Sequence, residues 1–331
     1  EGWVEHAGHD DPFWKRLRFG AALDRVQVPV LLLGGWQDIF LEQTLQQYGH
    51  LRSRGIDVAL TIGPWTHTEL LSKALTTTAR ESLDWLETHL GGAQSLHRPS
   101  RVRVYVAGQG WRNLPDWPPT TTERALYLRP GRYLDETAPT DLAGVAPATF
   151  RYDPADPTPT TGGPLLFQNS GYRDDSGLAV RDDVLAFTSA TLIHDLCGYG
   201  NPVVELAHSS DNPYADLFVR VSEVDAKGRS QNVSDGYQRL NTAQKEATTV
   251  SIRLDEIAHR FKTGSRIRLL IAGSWFPRYA RNLGTEEPLL TGRQSKPTTH
   301  TVQYGRSRLL LPVGPLDLSP NGVTDPDSDL G

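Results

Sequence analysis

Val28-Pro29-Val30-Leu31-Leu32-Leu33-Gly34-Gly35 decides the fold class of this chain. The run is apolar without alternation and breaks at two glycines, which is how a strand covered on both faces of a parallel sheet reads. Residues 41–54 follow with Leu41, Leu45, Tyr48 and Leu51 at helical spacing, and Gly55 supplies a C-terminal stop. Val58-Ala59-Leu60-Thr61-Ile62 is a second apolar strand, closed by Gly63-Pro64. A further helix over 76–90 places Leu83, Leu86 and Leu90 on one stripe and ends at Gly91-Gly92. Strand, helix and strand with a crossover of this length form a βαβ unit of right-handed connection. Two parallel strands leave edges and faces uncovered, so the unit needs further sheet from elsewhere.

After Gly92 the pattern changes to short β-rich runs punctuated by turns. Val102–Val106, Ala125–Leu128, Thr149–Tyr152, Val184–Phe187, Val203–Ala207, Leu217–Val224, Thr249–Leu254, Arg266–Ala272, Thr299–Tyr304 and Ser307–Leu311 read as strands. One short helical interruption is expected near Asp255–Phe261, and residues 319–331, rich in Pro, Asp and Gly, are expected to fray. About ten such strands predict an all-β sandwich or jelly roll. The expected organisation is therefore an α/β fragment over residues 1–95 and a β-sandwich over 96–331, consistent with 331 residues filling two cores.

Charge and composition exclude several partner classes. The net charge is −5, with neither half basic, so nucleic acid and anionic membrane surfaces are not expected partners. No apolar run approaches the ~18 residues that span a bilayer. Cys197 is the single cysteine, which leaves no internal disulfide framework and fits a reducing, cytoplasmic compartment. Asn232-Val233-Ser234 has the form of a glycan acceptor but reads better as a turn beside Asp235-Gly236. Oligomeric state stays open, a homo-oligomer included.

Two ionisable groups fall just past the carboxyl ends of the two strands, where ligands collect in parallel sheets. Asp38 lies in Gly35-Trp36-Gln37-Asp38-Ile39-Phe40 and His67 in Gly63-Pro64-Trp65-Thr66-His67. Neighbouring strands are ~4.8 Å apart, so these loops can bring a carboxylate to an imidazole. That contact is the orienting half of a nucleophile–base–acid triad, and nucleophile, acid, histidine is the α/β-hydrolase chain order. A tryptophan beside each group, Trp36 and Trp65, suits an apolar acyl pocket. One Asp and one His after adjacent strands also arise in purely structural roles, so the residues alone leave both readings open.

The two loops resemble the acid and histidine motifs of the family that contains cocaine esterase, α-amino-acid ester hydrolase and X-prolyl dipeptidyl aminopeptidase. The second half is similar in ordered motifs: Arg181-Asp182-Asp183-Val184-Leu185, Asp216-Leu217-Phe218, Val224-Asp225, Gly228-Arg229-Ser230, Asp235-Gly236, and Phe276-Pro277-Arg278 with Asn282-Leu283. The resemblance implies an α/β-hydrolase domain joined to a C-terminal jelly roll, with Asp38 as triad acid and His67 as general base. It also implies that Phe40 lines the acyl pocket, with Trp36 and Trp65 as further candidates, that no cofactor takes part, and that the substrate is a small ester or amide. The family's nucleophile is a serine in Gly-x-Ser-x-Gly on a sharp strand-to-helix turn. No serine here sits in that frame; Ser230 lacks the second glycine, and Ser274 follows a sandwich strand. The chain, opening at Glu1 with no signal-like segment, is therefore expected to be the C-terminal portion of a serine hydrolase, inactive alone, whose partner is a missing N-terminal α/β-hydrolase segment carrying the nucleophile.

The alternative reading is a non-catalytic sandwich module that binds glycan or peptide. Other clusters read as structural. His6, His9, Asp10 and Asp11 match no metal spacing and Asp11-Pro12 reads as a helix start; Asp174-Asp175 and Asp182-Asp183 read as loop charge rather than calcium ligands. His89, His97, His194, His208 and His259 show no partner pattern; Trp111–Pro119 reads as a packed, rigid loop, and its resemblance to the family's segment after the first sandwich strand implies packing between domains.

Overall fold

The computed structural model describes residues 2–6, 10–91, 98–166, 168–240 and 247–318. Two short helical turns open it, α1 (Gly2–Glu5) and α2 (Gly20–Leu23), with a 3-10 turn over Pro12–Leu17 between them. Asp11 caps that turn by accepting from the Phe13 N–H at 2.8 Å, with Pro12 in its first position, and also holds the His6 imidazole at 2.8 Å. His9 and His97 lie outside the described residues.

The first sheet is built as the apolar runs require. Strand β1 (Val30–Gln37) leads through helix α3 (Leu41–Ser53) to β2 (Val58–Thr66), which pairs with β1 in parallel from Val30 opposite Val58 to Gln37 opposite Thr66. Leu41, Leu45, Tyr48 and Leu51 of α3 pack with Val58, Leu60 and Ile62 on one face of the sheet. Helix α4 (Leu75–Leu90) covers the other face, where its Glu81 meets Thr61. The stripe expected to be buried on α4 is not: Thr77, Glu81 and Trp85 face inward, and Leu83, Leu86 and Leu90 are exposed. The physical cause is ionic. Glu81 is buried because Arg98 and Arg103 pair with it at 2.7 and 2.6 Å, and that pairing rotates the leucines outward. Burial opposes ionisation of Glu81, but these two guanidiniums and Thr61 hold its carboxyl below the usual range.

Strand pairing carries the first sheet past residue 95. β3 (Val102–Val106) joins β2 in parallel, and β4 (Gly110–Leu114) pairs antiparallel with β3, so the first sheet runs β1-β2-β3-β4. The boundary itself lies outside the described residues. β3 takes this place because Val102, Val104 and Val106 complete the apolar face beneath α3.

The remaining strands form one continuous hydrogen-bonded system around a second core. They are β5 (Thr122–Arg129), β6 (Tyr133–Asp135), β7 (Ala148–Tyr152), β8 (Val184–Ser189), β9 (Leu196–Gly200), β10 (Val203–Ser210), β11 (Ala215–Val224), β12 (Ser230–Leu240), β13 (Thr248–Arg253), β14 (Ile257–Phe261), β15 (Arg266–Ala272), β16 (Thr298–Val302) and β17 (Arg308–Gly314). Their path is β12-β11-β15-β8-β6-β5-β17-β10-β16-β7, with β13 on β10, and β9 between β14 and β17. Alternate residues such as Leu217, Val219 and Val221, and Ile267, Leu269 and Ile271, enter the core, as period-2 patterning demands. Two expectations fail here. The helical interruption near 255–261 is strand β14, paired with β9 from Ile257–Gly200 to Phe261–Leu196. Asn232-Val233-Ser234 is no turn but lies within β12, with Asn232 and Val233 buried, so it cannot serve as a glycan acceptor. The two cores meet: Cys197, Tyr199 and Ala258 pack with the first sheet, and Ala107 and Ala258 share a backbone hydrogen bond of 2.9 Å.

One pair of histidines that the sequence does not connect sits inside the β-rich half. His208 Nε2 and His300 Nδ1 are 3.0 Å apart, with His300 stacked on Phe150. Burial pushes His208 down to about 4 and holds His300 well below the usual imidazole range, further lowered by His208. Both rings are thus neutral in the fold while the unfolded chain takes up protons below ~6.5. Stability is accordingly predicted to fall as pH drops from ~6.5 to ~4, by about 3 kcal/mol for His208 alone. Denaturant midpoints across that window should flatten in His208→Gln; an unchanged slope would place the acid sensitivity elsewhere.

Candidate active site

The register of β1 and β2 sets the site. Gly35 lies opposite Gly63 and Gln37 opposite Thr66, with an irregularity between them. A Cβ on Gly35 would lie 2.1 Å from the Trp65 carbonyl oxygen, so that position requires glycine for close approach. The next residue of each strand exit is Asp38 and His67.

Asp38 is 4% exposed and its Oδ1 accepts twice, from the Phe40 N–H at 3.0 Å and from His67 Nδ1 at 3.0 Å. The first bond is an Asx turn that leads into α3 and fixes the carboxylate. The second fixes the imidazole with Nδ1 as the donor and leaves Nε2 on the far side of the ring. The His67 side chain is one-third exposed while its partner carboxylate is dry. The histidine loop has its own brace. Glu69 accepts from the Thr66 N–H at 2.9 Å and pairs with Lys73 at 2.5 Å. Burial works against its charge, but Lys73 and Thr66 hold its carboxyl below the usual range.

The aromatic candidates separate. Phe40 is half exposed, its ring edge-on to His67 with centroids 5.1 Å apart. Trp36 is a correction: it is 3% exposed, donates its indole N–H to the Tyr105 carbonyl at 2.7 Å and packs on Trp117 at 5.2 Å. Its face belongs to the core under the sheet rather than to an open pocket. Trp65 is also buried, folded over Gly63 and against Trp111, over which the Arg103 guanidinium lies at 4.4 Å. Trp117 in turn donates to Glu256 at 2.6 Å, tying the first sheet to the β-rich half. Ser230 and Ser274 are buried, and neither is at Asp38 or His67 hydrogen-bonding distance among the described contacts.

Sequence reasoning missed the polar layer behind the acid. Gln37 is buried, with its amide nitrogen 3.5 Å from the Val233 carbonyl and its amide oxygen 3.4 Å from the Asn232 amide nitrogen. Burial pushes the Tyr172 phenol up to about 12. Below this lies Arg220, fully buried and bidentate to Asp235 at 2.6 and 2.9 Å, with Arg278 on the same carboxylate at 2.9 Å. Asp175 and Asp183, candidates for loop charge, are likewise engaged: Asp175 with Ser222 and Arg220, Asp183 with Arg181 and Thr158. Among the described residues no group of three or more His, Cys, Asp or Glu side chains could hold a metal ion. A cleft of about 90 Å³ between the start of α3 and the Arg253–Glu256 turn holds none of the predicted site residues. Burial there raises Asp255 to about 6, with Arg278 opposing.

Known proteins are similar to this chain in sequence and in fold. A family model described as the X-Pro dipeptidyl-peptidase C-terminal non-catalytic domain matches residues 95–309, and one for X-Pro dipeptidyl-peptidase of the S15 family matches residues 1–69. The chain belongs to the family of X-prolyl dipeptidyl peptidases, cocaine esterase and α-amino-acid ester hydrolase. It is 29% identical over 315 residues to the cocaine esterase of Rhodococcus sp. (strain MB1 Bresler), covering 85% of this chain and 54% of that one. An α-amino-acid ester hydrolase structure superposes with a TM-score of 0.84 at 22% identity, covering 95% of this chain and 60% of that one. An aminopeptidase from a marine sediment Thaumarchaeota archaeon gives 0.83 at 23% identity, over 95% and 59%. These structures share the fold, a hydrolase sheet followed by a β-sandwich. The chain spans little more than half the length of the relatives it matches.

Trp36→Phe is predicted to lower stability by roughly 1–3 kcal/mol, because it removes a buried donor from the Tyr105 carbonyl and part of the packing on Trp117. Chemical denaturation reads this directly. A variant of unchanged stability but altered acyl preference in the complete protein would return Trp36 to the pocket.

Proposed function

We propose that this chain is the C-terminal portion of a serine hydrolase that cleaves an ester or amide acyl group through an acyl-enzyme. The single observation that carries the reading is the 3.0 Å contact between His67 Nδ1 and a buried Asp38 carboxylate at the exits of neighbouring parallel strands. Held as the Nδ1–H tautomer, His67 offers Nε2 as general base to a serine hydroxyl. The imidazolium that forms is stabilised by Asp38, and it returns the proton to the leaving group. Water then cleaves the acyl-enzyme by the same base in a second cycle. Phe40 walls the acyl side beside His67.

The nucleophile comes from a segment upstream of this chain, together with the rest of an α/β-hydrolase sheet; the β-rich half is a jelly roll. Three features support this. The esterase relative is nearly twice as long as the matched portion. Among the described residues β1 is hydrogen-bonded on one side only, leaving an apolar parallel edge. Beside it α4 turns Leu83, Leu86 and Leu90 outward, a stripe that suits burial under further helices. Ester substrates are favoured over X-prolyl peptides by the similarity to cocaine esterase, and the cycle as proposed uses only protein side chains and water. A cytoplasmic location is proposed on the single cysteine of the sequence.

A fluorophosphonate probe is predicted to label the complete protein. His67→Ala should lose most labelling, and Asp38→Asn should lower kcat by on the order of 10⁴, as loss of the correct tautomer does in the serine-protease triad. Full labelling of His67→Ala would remove this histidine from the mechanism. Residues 1–331 alone are predicted to show no ester turnover above background; turnover by the purified chain would locate a nucleophile within it.

A further inference from the structure

The carboxylate of Asp38 is one residue from a buried polar seam between the two halves of the molecule. Two strand irregularities face each other there. On the hydrolase side the β1–β2 register shifts between Gly35 and Gln37. On the sandwich side β12 carries a bulge, since Val221 pairs with Ser234 and Ser222 with Asn232, leaving Val233 without an opposite residue. A bulge re-aims the backbone of its extra residue. Here the Val233 carbonyl is the one that lies 3.5 Å from the Gln37 amide nitrogen.

Asn232, beside the bulge, is clamped independently of Gln37. Its Oδ1 accepts from the Arg173 N–H at 2.6 Å, its amide donates to the Gly171 carbonyl at 3.2 Å, and its backbone N–H donates to the Arg173 carbonyl at 3.3 Å. A Cβ on Gly162 would come within 2.7 Å of that same Oδ1, so the chain closes tightly around it. Gly171 also abuts the histidine loop: a Cβ there would lie 3.1 Å from the Thr66 methyl. Asn232 thus reaches the acid loop through Gln37 and the histidine loop through Gly171 and Thr66. It is 1% exposed and Gln37 4%, so both amides are high-stakes groups in a dry layer.

We infer that Gln37 and Asn232 are positioning residues for the Asp38–His67 pair, so that the β-rich half, which matches a domain family described as non-catalytic, sets the geometry of the catalytic acid. The inference rests on the proposed hydrolase reading. Neither residue touches the reacting atoms; each holds the strand ends from which the acid and base emerge. A displacement of about 1 Å at such a pair costs up to ~10²-fold in rate, which is why a second domain that fixes a strand end matters to chemistry it never contacts.

The test uses the complete protein and two readouts, steady-state ester hydrolysis and the downfield proton resonance of the His67 Nδ1–H, assigned by its absence in His67→Ala. Asn232→Ala and Gln37→Leu are each expected to lower kcat about tenfold with KM within about twofold, and to move or broaden that resonance. Tyr237→Phe breaks a hydrogen bond to Asp216 elsewhere in the sandwich and should leave the resonance in place. Folded Asn232→Ala with wild-type kcat and resonance would overturn the inference, as would equal loss in Tyr237→Phe. If Asn232→Ala does not fold, Gln37→Leu reads the same seam from the other side, and an unchanged resonance there overturns it equally. Failure of the hydrolase reading looks different: His67→Ala would keep full activity.

Discussion

Because Gln37 lies opposite Thr66 in neighbouring parallel strands, the residues that follow them leave the sheet side by side. Asp38 and His67 therefore meet without any long loop having to be ordered for the purpose. The carboxylate is immobilised by the turn into α3, and the imidazole by the turn braced through Glu69. The Asp38–His67 geometry depends on this register. A one-residue slip would send the two side chains to opposite faces of the sheet. Gly35 guards it, since the Trp65 backbone passes where any side chain would stand.

Around that register the protein uses buried charge more than its composition suggests. Glu81 with Arg98 and Arg103 lies under the sheet, and Arg220 with Asp235, Asp175 and Arg278 lies behind the acid loop. Such groups add little net stability compared with apolar packing, but they have sharply defined partners. Their effect is directional. The first cluster decides which side of α4 meets the sheet, and the second stiffens the strands that present Asn232 and Val233 to Gln37. Trp117 and the small residues Cys197 and Ala258 complete the join by packing into the core of the first sheet.

The same arrangement explains why the chain has two surfaces of different character. The seam between its halves is held by hydrogen bonds and aromatic packing. The β1 edge and the outward leucines of α4 are apolar and, among the described residues, uncovered. One side of the first sheet is thus finished by the β-rich half, and the other presents the surface on which more of a hydrolase sheet would continue.

The apolar runs, the helical spacing of Leu41, Leu45, Tyr48 and Leu51, and the glycine-flanked exits were enough to establish the βαβ unit and to bring Asp38 to His67, because strand pairing and crossover length are local constraints. Most sandwich strands were legible for the same reason: alternation at period 2 is written in adjacent residues. What the linear order could not decide was anything that depends on a partner distant in the chain. Leu83, Leu86 and Leu90 face outward because Glu81 finds Arg98 and Arg103; Trp36 is core because Tyr105 and Trp117 enclose it; β14 is a strand because β9 lies beside it. Asn232 bears on the acid loop through a bulge formed by pairing with β11, nearly two hundred residues after Gln37. Hydrophobic periodicity encodes burial against whatever comes next, whereas ion pairs, bulges and seams exist only once the fold has brought their members together.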